Sequence, residues 1–229
     1  MTDSVHDNKL KILGKLAASL SHEIKNPLSV LKLNLDYLKM SSEKFDNETN
    51  ECIDASLEAA DIINQLIHNT LEFSRKNKEG FEECNINEII NKAINITKGN
   101  ANKRNISFQV NMSETLDSIV VNETNILQVL VNIISNGLEA SNNDSKIMIN
   151  SFSENNKVCV DIIDEGSGIT EEDRTKVFDE FYTQKEGGTG LGLSVCKTIL
   201  NEHEAIFSLN NNTEKGTRFR IEFKSNGEE

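Results

Sequence analysis

The sequence predicts an α-helical hairpin that pairs into a dimeric four-helix bundle, followed by an α+β two-layer sandwich. The first prediction rests on apolar residues that recur every three or four positions through most of residues 8–76, the spacing of amphipathic helices. The second rests on short alternating segments mixed with helical segments after residue 80. These do not alternate one for one as a doubly wound parallel sheet requires. We place the two domains at residues 1–78 and 79–229.

Two helices are predicted in the first part, over residues 8–40 and 48–76, joined by a polar loop at residues 41–47. The seam of the first helix consists of Leu13, Leu16, Leu20, Ile24, Leu28, Leu31, Leu35 and Leu38. Because a lone hairpin buries too little apolar surface, we expect it to pair with a second copy of the chain in a four-helix bundle. Packing of the hairpin onto the chain's own C-terminal part is the alternative.

Periodic segments divide the second part into four helices and six strands. The helical segments are residues 86–97, 123–140, 171–177 and 191–201. The strand segments are residues 106–110, 119–121, 146–152, 157–163, 205–209 and 217–223. The third and fourth strands form a hairpin across residues 154–156. Asn-rich segments near residues 141–144 and 210–212 are interpreted as turns.

The composition argues against several classes of protein. Asp and Glu outnumber Lys and Arg by 37 to 24 among 229 residues, whereas direct nucleic-acid binding needs a basic face. No apolar run reaches the length of about 18 residues that a transmembrane helix needs, and the start lacks the features of a signal peptide. The four cysteines form no CxxC pair. This indicates reduced structural thiols in the cytoplasm, with a zinc or disulfide role as the alternative.

His22 is the candidate nucleophile of the first helix. At about 100° per residue it lies opposite the leucine seam, so we expect an exposed imidazole that is available for attack. Glu23 can accept the imidazole proton, and Asn26, one turn further on, can orient a water molecule. Pro27, the only proline in the chain, favours a kink beside them. An ordinary solvent-exposed histidine is the alternative interpretation of His22 alone.

Two asparagines form the first candidate ligand group of the second part. Asn132 and Asn136 lie four residues apart in the helix predicted over residues 123–140, and so share one face. Amide oxygens there suit Mg²⁺ and the phosphates it accompanies, since magnesium prefers hard oxygen ligands. The alternative is that asparagine is simply abundant in this chain.

Asp164 follows an apolar strand and precedes Gly166 and Gly168. Glycines permit a tight turn and close approach of the backbone to a ligand. A carboxylate at this place can accept a hydrogen bond from an exocyclic amine such as N6 of adenine. Taken alone, the segment is also compatible with a surface turn.

A second glycine-rich segment, residues 187–192, precedes the last predicted helix. Glycines that lead into a helix N-terminus form a natural site for phosphate. Lys185 comes just before these glycines, and we expect its side chain to reach the γ-phosphate. We expect Thr217, after Gly216, to close the adenine side of the site. The segment lacks the Lys-Ser/Thr pair of a P-loop.

Together these motifs resemble those of the sensor histidine kinases of two-component systems, over residues 8–225. The resemblance makes residues 22–27 the phosphoacceptor box, with His22 as acceptor and Glu23 as base, and it gives Glu23 with Asn26 a role in dephosphorylating a partner. It makes Asn136 the magnesium ligand and places Asn132 beside the phosphates. The positions that it assigns to the nucleotide are Asn132, Asn136, Asp164, Gly166, Gly168, Lys185, Gly188, Gly190, Leu191, Gly192 and Thr217.

The resemblance implies a Bergerat-type ATP-binding domain and a cytoplasmic, homodimeric, ATP- and Mg²⁺-dependent protein-histidine kinase. Such an enzyme autophosphorylates on His22, passes the phosphoryl group to an aspartate of a response regulator receiver domain, and also acts as a regulator phosphatase. No sensor domain or membrane anchor precedes the first helix, so we expect a core of a longer sensor or a kinase that takes its signal from a partner protein.

Two other functions are compatible with parts of the sequence. In the first, the nucleotide fold is degenerate and only His22 works, as in a phosphotransfer protein or scaffold. In the second, the chain is an ATPase of the gyrase, heat-shock chaperone and mismatch-repair group and forms no phosphoenzyme. Asn132 argues against the second, because those ATPases carry a catalytic glutamate there.

Two positions depart from the family's pattern. Gly137 stands where alanine usually follows the second asparagine, which loosens the helix by up to about 1 kcal/mol. Glu204 stands where glycine is common after the histidine at position 203. We interpret His203, like His6 and His68, as a structural or surface residue.

Overall fold

The computed structural model describes residues 24, 26–41, 43, 45–57, 60, 63, 80–179, 181–184, 190–212 and 215–226. The chain forms two compact units, Met1–Lys76 and Asn77–Glu229. The limits that we predict for the two domains, residues 1–78 and 79–229, remain predictions. Within the described part of the chain, no helix has the length and apolar character needed to cross a bilayer.

The first unit contains two described helices, α1 over residues 26–39 and α2 over residues 47–57. α2 begins after Asp46, whose Oδ1 accepts a hydrogen bond from the backbone N–H of Thr49 at 2.8 Å, as an N-cap does. Leu28 of α1 and Ala60, three positions beyond α2, are both buried and belong to one apolar cluster. Most of the remaining length of the two predicted helices lies outside the described residues.

The second unit contains four helices and seven strands among its described residues. The helices are α3 (Ile86–Lys103), α4 (Glu123–Ala140), α5 (Glu171–Lys176) and α6 (Gly192–Glu202). The strands are β1 (Glu82–Cys84), β2 (Ser107–Met112), β3 (Ile119–Val121), β4 (Lys146–Glu154), β5 (Lys157–Ile163), β6 (Ile206–Asn211) and β7 (Thr217–Lys224).

A five-stranded sheet with the order β2-β4-β5-β7-β6 forms one layer of this unit. β2 pairs with β4 in parallel, and the other neighbours are antiparallel. Val158, Val160 and Ile162 of β5 share one buried core with side chains of α3, α4 and α6, because alternate residues of a strand point to the same face. On the opposite face Asp161 accepts hydrogen bonds from Arg218 and Arg220. The predicted α+β sandwich is confirmed.

The turn between β4 and β5 consists of Asn155 and Asn156, with φ angles of 52° and 56°. A two-residue hairpin turn requires this left-handed backbone, which asparagine tolerates well. Apart from β1 and α3, the elements predicted for the second unit agree with the structure to within two residues at each end.

Two elements differ from the sequence prediction. The sequence predicts no strand at β1, because its adjacent glutamates hide the two-residue alternation; the strand forms by pairing with β3 in a separate two-stranded sheet. The prediction ends α3 at residue 97, but the helix continues to Lys103. Ala101 is buried there, and its packing offsets the weak helix propensity of Gly99 and Asn100.

The hydrogen bonds that end α6 explain why glycine is favourable at position 204. The backbone N–H of Ala205 donates to the carbonyl of Leu200 at 3.0 Å, and that of Glu204 donates to Asn201 at 3.1 Å, so the chain turns back on the last helical turn. This ending places the residue after the C-cap in the left-handed region, and Glu204 has a φ of 51°. A side chain at this φ is unfavourable, whereas glycine adopts it freely.

We therefore expect Glu204→Gly to raise the free energy of unfolding by about 1 kcal/mol, the strain of a left-handed non-glycine residue. The exposed ion pair between Glu204 and Lys224 is lost as well, but such pairs contribute little. Urea denaturation tests this, with Lys224→Gln as the control that removes the ion pair alone. A Glu204→Gly protein no more stable than that control would contradict the prediction.

Candidate functional site

The carboxylate of Asp164 is the centre of the candidate site. It follows the end of β5 and is only 5% exposed. Its Oδ1 accepts hydrogen bonds from the backbone N–H groups of Gly166 at 2.8 Å and Thr217 at 3.1 Å, and its Oδ2 accepts one from the Thr217 hydroxyl. Each carboxylate oxygen can accept two bonds. Among the described residues no second donor reaches Oδ2, so this atom can accept one more.

Three glycines lie beside this carboxylate, and at two of them the backbone leaves no room for a side chain. A Cβ at Gly166 would lie 2.7 Å from the carbonyl oxygen of Ala140 in α4. A Cβ at Gly216, which has a φ of 81°, would lie 2.0 Å from the carbonyl oxygen of Asp164. At Gly137 of α4 the Cβ would lie 3.4 Å from that of Asp164, an ordinary contact. The glycines therefore let α4 and the β6–β7 connection close around one buried charge.

The asparagine helix, α4, contributes buried amides. Asn132 is 6% exposed. Its amide is near enough to the Cys196 thiol to oppose slightly the rise that burial causes in the pKa of that thiol, but its Nδ2 makes no hydrogen bond of normal geometry among the described residues, and neither amide atom of Gln128, one turn earlier, makes one. Buried polar atoms are normally hydrogen-bonded. The unsatisfied Asn132 amide therefore fits a polar ligand such as a phosphate, and Asn136, half-buried one turn further on, lies at the same side of the helix.

The second glycine segment closes a loop and starts α6. Gly190 has a φ of 65°, and its carbonyl accepts a hydrogen bond from the backbone N–H of Phe181 at 3.0 Å. Phe181 itself is 71% exposed. Leu191 precedes Gly192 at the N-cap position, and no side chain of the described residues caps the helix. An uncapped helix N-terminus favours an anionic ligand.

α6 is held against α4 next to Asn132. The Sγ of Cys196 lies 3.9 Å from the carbonyl oxygen of Val129. Burial raises the pKa of the Cys196 thiol to about 12, so this thiol stays protonated and unreactive at neutral pH. This agrees with the structural role predicted for the cysteines.

The structure brings together one group of the predicted residues. Asp164, Gly166 and Thr217 are in direct contact, and α4 lies against them through Gly137 and Ala140. Asn26 is exposed on α1, in the other unit. His22, Glu23, Lys185 and Gly188 lie outside the described residues, and the roles of all these residues remain predictions.

Two supporting residues were not predicted from the sequence. Arg104, after α3, donates hydrogen bonds to the carbonyls of Leu138 and Ser141 at the end of α4, where a cation also compensates the negative end of the helix dipole. Asn211 of β6 holds the backbone of Ile169. Both bind main-chain groups 34 to 42 residues away, and no local sequence pattern indicates such contacts.

His203 connects α6 to the start of α4. Its Nε2 accepts a hydrogen bond from the backbone N–H of Asn122, the N-cap of α4, at 3.0 Å. Its Nδ1 lies 2.7 Å from the carbonyl oxygen of Ile199, which can only accept, so Nδ1 carries the proton. The ring also stacks on Phe81 with 4.6 Å between centroids. The structural role predicted for His203 matches this geometry, which requires a neutral imidazole.

Two family models match the chain. Residues 12–79 match the His Kinase A (phospho-acceptor) domain, and residues 121–227 match the histidine kinase-, DNA gyrase B-, and HSP90-like ATPase domain. The first range includes His22 and Asn26, and the second includes every residue predicted to hold the nucleotide. The chain thus joins a phospho-acceptor domain to an ATPase-type domain.

Among curated proteins, the chain is 29% identical over 214 residues to the sensor histidine kinase ZraS of Salmonella typhimurium, which covers 93% of this chain and 46% of ZraS. It is 31% identical over 218 residues to sporulation kinase A of Bacillus subtilis, covering 94% of this chain and 35% of that kinase. The chain therefore spans less than half the length of these two curated relatives.

Among solved structures, the catalytic domain of the histidine kinase ThkA is 35% identical, with a TM-score of 0.59, covering 63% of this chain and 95% of that one. ThkA solved in complex with the response regulator TrrA is 31% identical, with a TM-score of 0.65, covering 96% of this chain and 64% of that one. The chain belongs to the sensor histidine kinases of two-component systems, as its motifs predicted, and carries their catalytic core.

We expect His203 to make stability depend on pH. Burial lowers the pKa of His203, so the unfolded chain binds a proton more readily than the folded one. Its stabilising effect is complete above the unfolded pKa of about 6.5 and is lost as the pH falls through the lower folded pKa. Denaturation midpoints between pH 7.5 and 5 measure this loss.

His203→Gln is the control for this measurement, because it keeps a polar side chain but removes the titrating group. The wild type should lose more stability than this variant over the same pH interval. Parallel losses in the two proteins would mean that other groups cause the dependence.

Proposed function

We propose that the chain is an ATP-dependent protein-histidine kinase that autophosphorylates on His22 and passes the phosphoryl group to an aspartate of a response regulator. The observation that carries the proposal is the carboxylate of Asp164, buried with one acceptor position left on Oδ2, in a domain of the ATPase family. The same chain holds a phospho-acceptor domain that includes a histidine at position 22.

Asp164 reads the adenine in this proposal. The remaining acceptor position of Oδ2 takes a hydrogen bond from the N6 amine, and Thr217 closes the adjacent side. Backbone amides hold Oδ1 from two directions, so the carboxylate is oriented before the nucleotide arrives. A pre-oriented group of this kind favours binding because little ordering is needed on association.

In this proposal, α4 and the second glycine segment bind the phosphates. Asn132 offers its buried amide to a phosphate oxygen, and Asn136 supplies a carbonyl oxygen ligand for Mg²⁺, which when bound offsets negative charge on the phosphates. The backbone around Gly188, Gly190 and Gly192 and the start of α6 bind phosphate oxygens. Lys185 completes the site at the γ-phosphate.

His22 supplies the nucleophile. A lone pair of the neutral imidazole attacks the γ-phosphorus, the bond from that phosphorus to the bridging oxygen breaks, and ADP leaves with the electron pair. Glu23 takes the proton from the imidazole ring. Most of the acceleration comes from holding the reactants in line, because phosphoryl transfer requires little covalent chemistry from the protein.

The first unit leaves two apolar surfaces uncovered, and we assign one to each of two partners. Ile24, Leu31 and Leu38 are on the same side of α1 as the buried Leu28 and are 39–51% exposed, so a second copy of the chain covers them in a homodimer. The opposite side of α1 carries a stripe of more exposed side chains. They are Val30, Leu33, Tyr37 and Met40, at 59–88% exposure.

The response regulator docks on that second stripe. If the helix continues to His22 as predicted, the stripe lies on the histidine's side, at about 100° per residue. ThkA was solved in complex with a response regulator, which supports a partner of this kind. Glu23 and Asn26 also orient water for dephosphorylation of the regulator, and these steps take place in the cytoplasm.

Mass measurement of the intact protein after incubation with Mg·ATP tests the proposal. We expect an acid-labile phosphoryl adduct on the wild type and none on His22→Gln. His68→Gln, from the same predicted hairpin, is the matched control and should keep the adduct. Consumption of ATP with no adduct on the wild type or on His68→Gln would contradict the kinase proposal and favour the ATPase alternative.

Asp164→Asn tests the adenine contact. The two backbone N–H groups at Oδ1 require an oxygen, so the new amide nitrogen takes the place of Oδ2 and can only donate. We expect ATP to bind at least about tenfold more weakly, the loss of a charge-assisted hydrogen bond. Inosine triphosphate, which has a carbonyl oxygen in place of the amine, should lose less affinity.

Calorimetric Kd values for both nucleotides measure this change of preference. Asp117→Asn is the matched control, because it alters an exposed carboxylate that bonds Ser225. Equal loss of affinity for the two nucleotides would show that Asp164 supports the fold of the site without reading the base.

A further inference from the structure

The loop from Asp164 to Ile169 is held at both ends by one hairpin, β6–β7. At the first end, the backbone N–H of Asp164 donates to the carbonyl of Thr217 at 3.0 Å, and Thr217 donates back to the Asp164 carboxylate. At the second end the partner is Asn211, the last residue of β6. The loop is therefore fixed by two points of attachment that come from the same hairpin.

The contact at the Ile169 end of the loop uses both polar atoms of the Asn211 side-chain amide. Asn211 Oδ1 accepts a hydrogen bond from the backbone N–H of Ile169 at 2.7 Å, and its Nδ2 donates to the carbonyl of Ile169 at 2.8 Å. One amide thus satisfies both main-chain groups of a single residue, as a neighbouring strand would. Only asparagine combines this length with a donor and an acceptor.

Gly168 lies next to the Asn211 amide, where a side chain would be too close to it. It has a φ of 79°, and a Cβ built on it would lie 3.0 Å from Asn211 Oδ1. The glycine is thus needed both for its left-handed backbone and for the close approach of the amide. Gly168 and Asn211 form a matched pair that defines the shape of the loop.

The held residue also precedes the start of α5. Thr170 is the N-cap of α5 and accepts from the backbone N–H of Asp173 at 3.1 Å, and Asp173 accepts a hydrogen bond from the Tyr182 hydroxyl. Asn211 thus holds the residue before the N-cap of α5, and α5 is in turn hydrogen-bonded to Tyr182, three residues before Lys185 in the sequence.

We propose that Asn211 is a positioning residue for nucleotide binding. It holds Gly166–Ile169 in the conformation that receives the nucleotide, and it does not touch the nucleotide itself. The inference rests on the proposed function, since it takes this loop to be part of an ATP site. It goes beyond the proposed function because it states that nucleotide binding requires an amide side chain at position 211, on β6.

Two variants at position 211 separate positioning from simple packing. Asn211→Ala removes both hydrogen bonds. Asn211→Asp keeps the size and the acceptor, but places a negative oxygen against the carbonyl of Ile169. Positioning predicts that Asp is worse than Ala, whereas a space-filling role predicts that Asp is nearly neutral.

The full chain is used with ATP, and the Kd is measured by calorimetry at a temperature where circular dichroism shows each variant folded. We expect the Kd to rise for Asn211→Ala, because the loop loses two neutral hydrogen bonds, and to rise further, about tenfold, for Asn211→Asp, because one of them is replaced by repulsion between two oxygens. In autophosphorylation assays KM should rise while kcat at saturating ATP stays within about twofold, because bound nucleotide restores the loop.

Asn111→Ala and Asn111→Asp are the matched controls. Asn111 is exposed on the edge strand β2, and its amide donates to Asn150 Oδ1 at 2.9 Å. The same changes therefore remove a side-chain hydrogen bond at the edge of the sheet opposite to β6. Both controls should bind ATP like the wild type. Hydrogen exchange of residues 165–170 without nucleotide gives a second readout, and should become faster in Asn211→Ala while β5 stays protected.

Unchanged Kd and unchanged exchange in the Asn211 variants would overturn the inference and leave the proposed function intact. The same holds if kcat falls with KM unchanged. Failure of the wild type to bind ATP would instead remove the proposed function, and the inference with it. If Asn211→Asp does not fold, the exchange and Kd of Asn211→Ala decide the question.

Discussion

The arrangement of the second unit depends on the burial of one carboxylate. Asp164 is almost inaccessible to solvent, and a buried charge without hydrogen-bond donors is strongly unfavourable. The donors come from Gly166 and Thr217, and these can approach only because Gly166 and Gly216 have no side chains. The glycine motif is thus a consequence of the carboxylate, since each glycine removes an atom that would displace a donor.

The elements that carry the site are held in place from outside it. α4 bears the asparagines, and both of its ends are tied to other elements, by His203 at the first turn and Arg104 at the last. Asn211 does the same for the loop after Asp164. Each of these three side chains binds main-chain atoms, so the side chains that we propose for nucleotide binding are not needed to hold these elements. A site built in this way keeps its geometry while its own polar groups stay partly unsatisfied.

Much of this unit could be predicted because its elements are long and periodic. α4, β3 and β5 have the bounds that their apolar spacing indicates, since burial on one face imposes that spacing. β1 could not be predicted, because three residues with adjacent glutamates show no period and pair only through the backbone. Asn211 was interpreted as part of a turn, which is the usual role of asparagine; only the folded chain brings it to Ile169, 42 residues away.

The two units differ in how far each can be stable alone. The second has a continuous core that joins three helices to the sheet, so its nucleotide site needs no further chain to hold its shape. The described part of the first unit buries three apolar side chains, Leu28, Ile53 and Ala60, and leaves several large apolar side chains exposed. Helices gain most of their stability from packing, and in the homodimer that we propose the second copy of the chain supplies that packing. On this proposal, folding of the first unit is coupled to association, whereas folding of the second unit is not. On the same proposal, a signal that alters the association can act on His22 without disturbing Asp164.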